Sequence, residues 1–443
     1  MRMSRRQLLG GIAATGATIT LTSVALASGT ESEERKTTGE RTGARAKEPV
    51  RLELARPTGP HPVGVTELHL VDRARREPRW TGAGERFREL MVGVWYPAAK
   101  GSGAPAAPYM RPRAAAAFGA GAAKILKLEP GDIDWAGFTT HARTGAHVAP
   151  GRTRRPVVLY SPGMYNERTL DTSAVTELAG HGYIVITVDP TYEAHAVEFP
   201  GGRVVEPAPG LGAIEPTAQR NKAALDVRVA DIRFVLDQVE AVARGRAPRS
   251  LGRPRTLPRG LATALDPSRI GMFGHSLGGM ATAEAMRLDR RIRAGVNLDG
   301  PLGYDWADPD QLLPVARTGL DRPFLQMGAW LTTSDDRRPH THRHSPSWRA
   351  MWRNSTGWKR DLWTEAAEHN SFTDYQTLLP GLAAHVTLPE GLSTHMIGRV
   401  DARRFTASRR AYLTAFFEQH LRGRHQRLFD GPSPRHPDVR FID

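Results

Sequence analysis

Apolar and polar positions along the chain follow two periods. Short apolar runs recur from residue 66: TELHLVD (66–72), RELMVGVWYPA (88–98), RPVVLYSPG (155–163), GYIVITVDP (182–190), RIGMFG (269–274), RAGVNLD (293–299), PFLQMGAW (323–330) and WKRDLWTEAA (358–367). They are rich in β-branched and aromatic residues and bounded by turn formers, which predicts strands. Helical periods lie between them. Residues 168–181 fit one helix, and Ala224, Val227, Ala230, Ile232, Val235, Leu236 and Val239 recur at spacings of three and four within 217–243. A third helix starts at about Leu277, and FTASRRAYLTAFFEQHL (405–421) predicts a closing one. The first two runs flank a polar, glycine-bearing loop and read as an antiparallel pair. The later runs alternate with helices, which predicts a mostly parallel sheet covered on both faces. The expected architecture is one α/β domain over 51–430, with 431–443 as a C-terminal tail. Residues 101–155, rich in Ala, Gly and Pro around RAAAAFGAGAAKIL, read as a cap or entrance insertion. Residues 244–260 hold six arginines and read as a solvated loop.

The N-terminus adds a destination. Ser4-Arg5-Arg6-Gln7-Leu8-Leu9 precedes a weakly apolar stretch that closes on Ala25-Leu26-Ala27, a small-x-small cleavage pattern. Residues 1–27 therefore read as a twin-arginine export signal, with the export machinery as a partner and secretion as the outcome. The alternative, an uncleaved anchor, is short and weakly hydrophobic for a membrane span. Residues 28–50 are polar without apolar periodicity and read as a disordered linker. Loss of Arg2, Arg5 and Arg6 with the leader takes the formal charge from +15 to +12. That excess is scattered arginine with no basic stripe interleaved with aromatics, which argues against nucleic-acid binding. Attraction to an anionic lipid or polymer surface is the weaker alternative. The chain has no cysteine, so disulfides, thiolate metal sites and a cysteine nucleophile are excluded.

The candidate chemistry centres on GMFGHSLGGM (271–280). Gly-x-Ser-x-Gly arises easily by chance in a glycine-rich chain, but here a buried strand precedes it and a helix follows. Ser276 then stands on a strand-to-helix turn, where Gly274 and Gly278 permit close backbone approach. The N–H of Leu277, at the positive end of the next helix, is placed to stabilise an oxyanion. A serine nucleophile needs a base, and the base an orienting carboxylate, in the chain order Ser, Asp, His. His275, adjacent to the serine, reads as structural. His369 in EAAEHNSFTDY lies on a loop after a strand and is the base candidate. His340, His342 and His344 alternate in RRPHTHRHSP, a spacing that suits a metal but reads better as a solvated basic loop. For the acid, Asp299 ends one strand, and Asp335 or Asp336 follows the next. Spacing does not choose among them.

Five ordered stretches resemble the platelet-activating-factor acetylhydrolase family, the lipoprotein-associated and intracellular type II branch with its bacterial esterase and lipase relatives. They are RELMVGVWYPA, VVLYSPGMYNERTLDTSAVTELAGHGYIVITVD, GHSLGGMATAEA, NLDG and EHNSFTDY. The resemblance implies an α/β-hydrolase fold, with Ser276 as nucleophile, Asp299 as acid, His369 as base, and the backbone N–H groups of Leu277 and Met164 as oxyanion hole. One departure is Pro162-Gly163, where the family often has His-Gly. The implied function is a secreted serine ester hydrolase acting on short-acyl esters, including phospholipid sn-2 acyl groups, without metal or organic cofactor. Competing readings are a broad lipase or polyester hydrolase, an amidase or peptidase on the same triad, and a non-catalytic binding protein.

Overall fold

Eleven strands form one sheet among the residues described by the computed structural model: 49–443, apart from 130, 152, 216, 251–256, 306, 307, 309, 310 and 333–336. The predicted export signal therefore lies outside the described residues, as do most of the linker, Asp335 and Asp336. The strands are β1 (Val63–Arg76), β2 (Phe87–Pro97), β3 (Ala106–Pro108), β4 (Thr139–Thr144), β5 (Arg155–Ser161), β6 (Ile184–Val188), β7 (Leu265–His275), β8 (Ile292–Leu298), β9 (Phe324–Gly328), β10 (Lys359–Trp363) and β11 (Arg440–Phe441). Their spatial order is β11-β10-β9-β8-β7-β5-β6-β2-β1-β4-β3.

All eight predicted strands are present. From β6 through β5, β7, β8 and β9 to β10 the pairing is parallel. β1 and β2 form the expected antiparallel pair, in register from Val63–Pro97 to Asp72–Arg88, and β2 runs antiparallel to β6. Val157, Val158 and Leu159 are 0% exposed, which explains why the β5 sequence is continuously apolar instead of alternating. Three strands of this sheet were not anticipated. β3 and β4 belong to the 101–155 insertion, and β4 extends the sheet beyond β1. β11 lies in the segment expected as a tail and pairs with Leu362 and Trp363 at the opposite edge. Strands of two or three ladder pairs carry too little periodicity to stand out in a sequence.

The helices used below are α1 (Pro112–Leu126), α2 (Thr172–Gly180), α3 (Thr217–Ala243), α4 (Leu277–Leu288), α5 (Pro346–Asn354), α6 (Tyr375–Ala383) and α7 (Ala402–Arg422). α3 and α4 pack on one face of the sheet, and α2 and α7 on the other. In a third cluster Phe118, Ala122 and Leu126 of α1 meet Leu378, Leu379 and Leu382 of α6. No described helix is long and apolar enough to cross a membrane.

α3 keeps the expected phase at Ala224, Ile232, Val235, Leu236 and Val239, but its buried stripe is wider than the apolar positions alone. Val227 and Ala230 are half-buried, whereas Leu225, Arg228 and Val229 face inward. The chain leaves β5 through α2 to β6 on one side, then returns through α3 to β7 on the other. Such a reversal opens a crevice at the carboxyl ends of the two strands flanking it, here β5 and β7.

Candidate active site

Ser276 stands where β7 ends and α4 begins, with φ 55° and ψ −121°. Few non-glycine residues hold a positive φ, so the surroundings must enforce it. Its N–H donates to the carbonyl of Leu298 at 2.9 Å, which ties the turn to β8. The flanking glycines are dictated by approach distance. A Cβ on Gly278 would lie 1.9 Å from the Ser161 carbonyl oxygen, and one on Gly274 would lie 2.2 Å from that of Gly278. The expected strand–turn–helix elbow is therefore present, packed against the end of β5.

Asp299 directly follows β8, also with a positive φ of 56°. Its carboxylate is fully buried and both oxygens are engaged. Oδ2 accepts from Nδ1 of His369 at 2.6 Å, and Oδ1 accepts from the Ala329 N–H at 2.9 Å and from His340 Nδ1 at 2.9 Å. Burial alone would raise this carboxyl's pKa, but His340 and His369, which face it and hydrogen-bond to it, hold it well below the usual carboxylate range. His369 opens a short helical turn, and its Nε2 is buried with no hydrogen-bond partner. His275, expected as structural, is 0% exposed and sits against His369, ring centroids 4.5 Å apart. Its Nε2 lies 3.0 Å from the His369 carbonyl oxygen. Burial, then the neighbouring His369, push the His275 imidazole well below its ordinary pKa, so it stays neutral.

The structure thus brings Asp299 and His369 into direct contact and sets both on the frame that carries Ser276. Asp335 and Asp336, the other acid candidates, lie outside the described residues.

The loop after β5 faces the same turn. Among the described residues, no acceptor takes the N–H of Met164 or of Leu277. Behind the loop is Arg228, which sequence reading missed. This buried guanidinium donates to the Gly163 carbonyl at 2.8 Å, to Ser161 Oγ at 3.1 Å, and to the Pro162 carbonyl. It is paired in turn with the fully buried Glu193. Pro162 has no N–H to offer, so the loop is held through its carbonyls by an arginine from α3. A signal was available: Arg228 lies four residues after Ala224 and four before Ile232, on the buried line of the helix.

His340 and His342 are not in a solvated loop. His340 is 0% exposed with its ring 4.0 Å from that of Trp348, and His342 stacks on Trp352 and bonds Asp361 at 2.7 Å. His344 alone of the three is exposed, so the expectation holds only there. Among the described residues no group of three or more His, Cys, Asp or Glu side chains could hold a metal ion. The basic residues of RRPHTHRHSP masked the fact that its alternate histidines point inward toward aspartates.

The family model for platelet-activating factor acetylhydrolase, isoform II, matches residues 50–309, more than half of the chain. The chain belongs to this family. A probable 1-alkyl-2-acetylglycerophosphocholine esterase of Arthroderma benhamiae is 30% identical over 302 residues, covering 65% of this chain and 66% of that protein. Platelet-activating factor acetylhydrolase of Cavia porcellus is 25% identical over 41% of this chain and 42% of its own length. These matches span less than two thirds of the curated relatives. A solved ferulic acid esterase from Streptomyces cinnamoneus is 36% identical, with a TM-score of 0.68 over 88% of this chain and 99% of that one. The relatives are named esterases, and the sheet order, elbow and crossover place the chain on the α/β-hydrolase fold.

Proposed function

We propose that the chain is a serine carboxylic-ester hydrolase working through Ser276, His369 and Asp299. The observation that carries this is the 2.6 Å bond from His369 Nδ1 to Asp299, with His369 Nε2 buried and unpartnered on the frame of Ser276. Held in that tautomer, His369 takes the Ser276 proton as Oγ attacks the ester carbonyl. The Leu277 and Met164 N–H groups receive the oxyanion, and His369 returns the proton to the departing alcohol. Water activated by the same histidine then hydrolyses the acyl-enzyme. Asp299 stays ionised throughout, because its hydrogen bonds favour the carboxylate.

Short-acyl esters, including phospholipid sn-2 acyl groups, are the preferred substrate class, supported by the family and its acetyl-ester relative. Hydroxycinnamoyl esters are the second reading, supported by the match to the Streptomyces enzyme along nearly its whole length. A panel of p-nitrophenyl esters from acetate to palmitate, with a short-acyl phospholipid, methyl ferulate and an amide, separates the two. Activity falling from acetate to palmitate supports the first, and dominant turnover of methyl ferulate supports the second. Equal activity of wild type and Ser276→Ala on every substrate overturns the mechanism.

Export by the twin-arginine route, read from residues 4–9 and 25–27, forms part of this proposal. An Arg5→Lys, Arg6→Lys precursor should stay inside the cell. Undiminished secretion overturns it.

A further inference from the structure

Asp299 serves two histidines, and the mechanism above uses only one. His340 reaches the second carboxylate oxygen from the segment after β9, and everything about it is fixed. Its N–H donates to the Ala329 carbonyl at 2.9 Å, while the Ala329 N–H binds the same Asp299 oxygen. Its ring lies against Trp348 of α5, which is 0% exposed. The Trp348 indole N–H in turn donates to the carbonyl of Gly300, the residue after Asp299, at 2.8 Å. Among the described residues, no group hydrogen-bonds the buried His340 Nε2. A proton there would bury an unanswered donor, so the geometry favours the tautomer with its hydrogen on Nδ1, aimed at the carboxylate.

We propose that His340 is a positioning residue of the triad, a neutral Nδ1–H donor that occupies Oδ1 of Asp299, turns Oδ2 to His369 and tempers the charge His369 sees. This rests on the catalytic reading of Ser276, His369 and Asp299. A carboxylate with fewer donors pulls harder on the one N–H left to it, so removing His340 changes the field at His369 and should be read in the acid limb of the pH profile. Other titratable or charged groups face this pair. His275 lies under His369, Arg409 acts on His275, Glu368 is held by Arg337, and Asp361 stands behind His340 with His342. None of them is itself altered by a substitution at His340.

Two variants divide the donor from the ring. His340→Phe keeps the aromatic contact with Trp348 and loses the hydrogen bond. His340→Asn keeps a donor near the Nδ1 position and loses the ring. For His340→Phe, the acid limb of kcat/KM should move up by about half a pH unit and kcat should fall about tenfold with KM little changed, as expected on losing one hydrogen bond to a charged group. His340→Asn should return the acid limb to its wild-type position. A wild-type profile for His340→Phe, or loss of activity in His340→Asn alone, shows that the ring only packs, and overturns the inference.

Labelling the histidines with ¹⁵N gives a readout free of turnover. Wild type and Ser276→Ala should each show three low-field Nδ1–H resonances, from His369, His340 and His342, and His340→Phe two. A wild-type spectrum without a low-field resonance from His340 overturns the proposal even if a variant folds poorly. Full activity in Ser276→Ala instead overturns the catalytic reading itself, which the resonance count leaves distinguishable.

Discussion

Replacing Arg228 with Met should damage stability and turnover by separable routes. The side chain is 3% exposed and makes five hydrogen bonds: two to Glu193 and one each to Ser161 Oγ and the carbonyls of Pro162 and Gly163. Met fills much of the same volume but donates nothing. Glu193, with no exposed side-chain surface, keeps among the described residues only Arg79 at 3.7 Å as a cation. Stranding one member of a buried pair costs about 3–5 kcal/mol. In a protein of this size that lowers Tm by about 4–6 °C. The second route runs through the loop. Without a donor behind its carbonyls, Met164 loses its fixed position, and an oxyanion donor out of place costs about 10²–10³ in kcat. Differential scanning calorimetry and steady-state hydrolysis of p-nitrophenyl acetate read the two effects. In the double variant Arg228→Met, Glu193→Gln the stranded charge is gone, so Tm should recover in part while kcat stays low. If kcat of Arg228→Met is wild type while Tm falls, Arg228 only supports the fold and the reasoning about the loop is refuted. If kcat recovers together with Tm in the double variant, the loss of turnover came from instability.

The remaining predictions use other parts of the molecule. Ser276→Ala should lower kcat on p-nitrophenyl acetate by about 10⁶-fold with an unchanged melting curve, since the group removed acts in the reaction and not in packing. Gly278→Ala should cost on the order of 2–3 kcal/mol in chemical denaturation and most of the activity, because its Cβ would stand 1.9 Å from one backbone oxygen and 2.6 Å from another. Burial pushes the Glu167 carboxyl from 4.5 up to about 8, so the folded protein holds a proton that the unfolded chain has released. That stability is complete below pH 4.5 and lost toward pH 8. Glu167→Gln should therefore melt above wild type at pH 8.5 and close to it at pH 5. Burial pushes His420 the other way, from 6.5 to about 4, so the stability of its neutral form is lost as pH falls from 6.5 toward 4. His420→Phe should flatten the decline of Tm across that window, and an unchanged decline places the acid sensitivity elsewhere.

Most of the scaffold was legible because its signals are local. A strand buried on both faces must be apolar along its length, as VVLY of β5 is, and α7 shows its apolar face at helical spacing. The elbow was legible for the same reason, since a serine at positive φ between close-packed backbones demands small neighbours on both sides. Exceptions to this legibility have one cause. β4 and β11 exist because distant edges of the sheet accept them, and their own residues say little. Arg228 escaped notice on the buried line of α3 because its partners, Glu193 and the loop after β5, lie 35 and about 65 residues away in sequence. His340 and His342 looked like part of a charged loop until Asp299 and Asp361 were seen to face them.

By itself, the sequence determined the alternation of strands and helices, the elbow around Ser276, and the residue types that an acyl transfer needs. Those depend on periodicity and turn sterics within a few residues. Only the tertiary structure decided that Asp299 meets His369, that a second histidine shares the carboxylate, and that an arginine grips the loop after β5. Hydrogen bonds of this kind join segments tens of residues apart, and their 2.6–3.2 Å separations arise from how the sheet stacks its strand ends together.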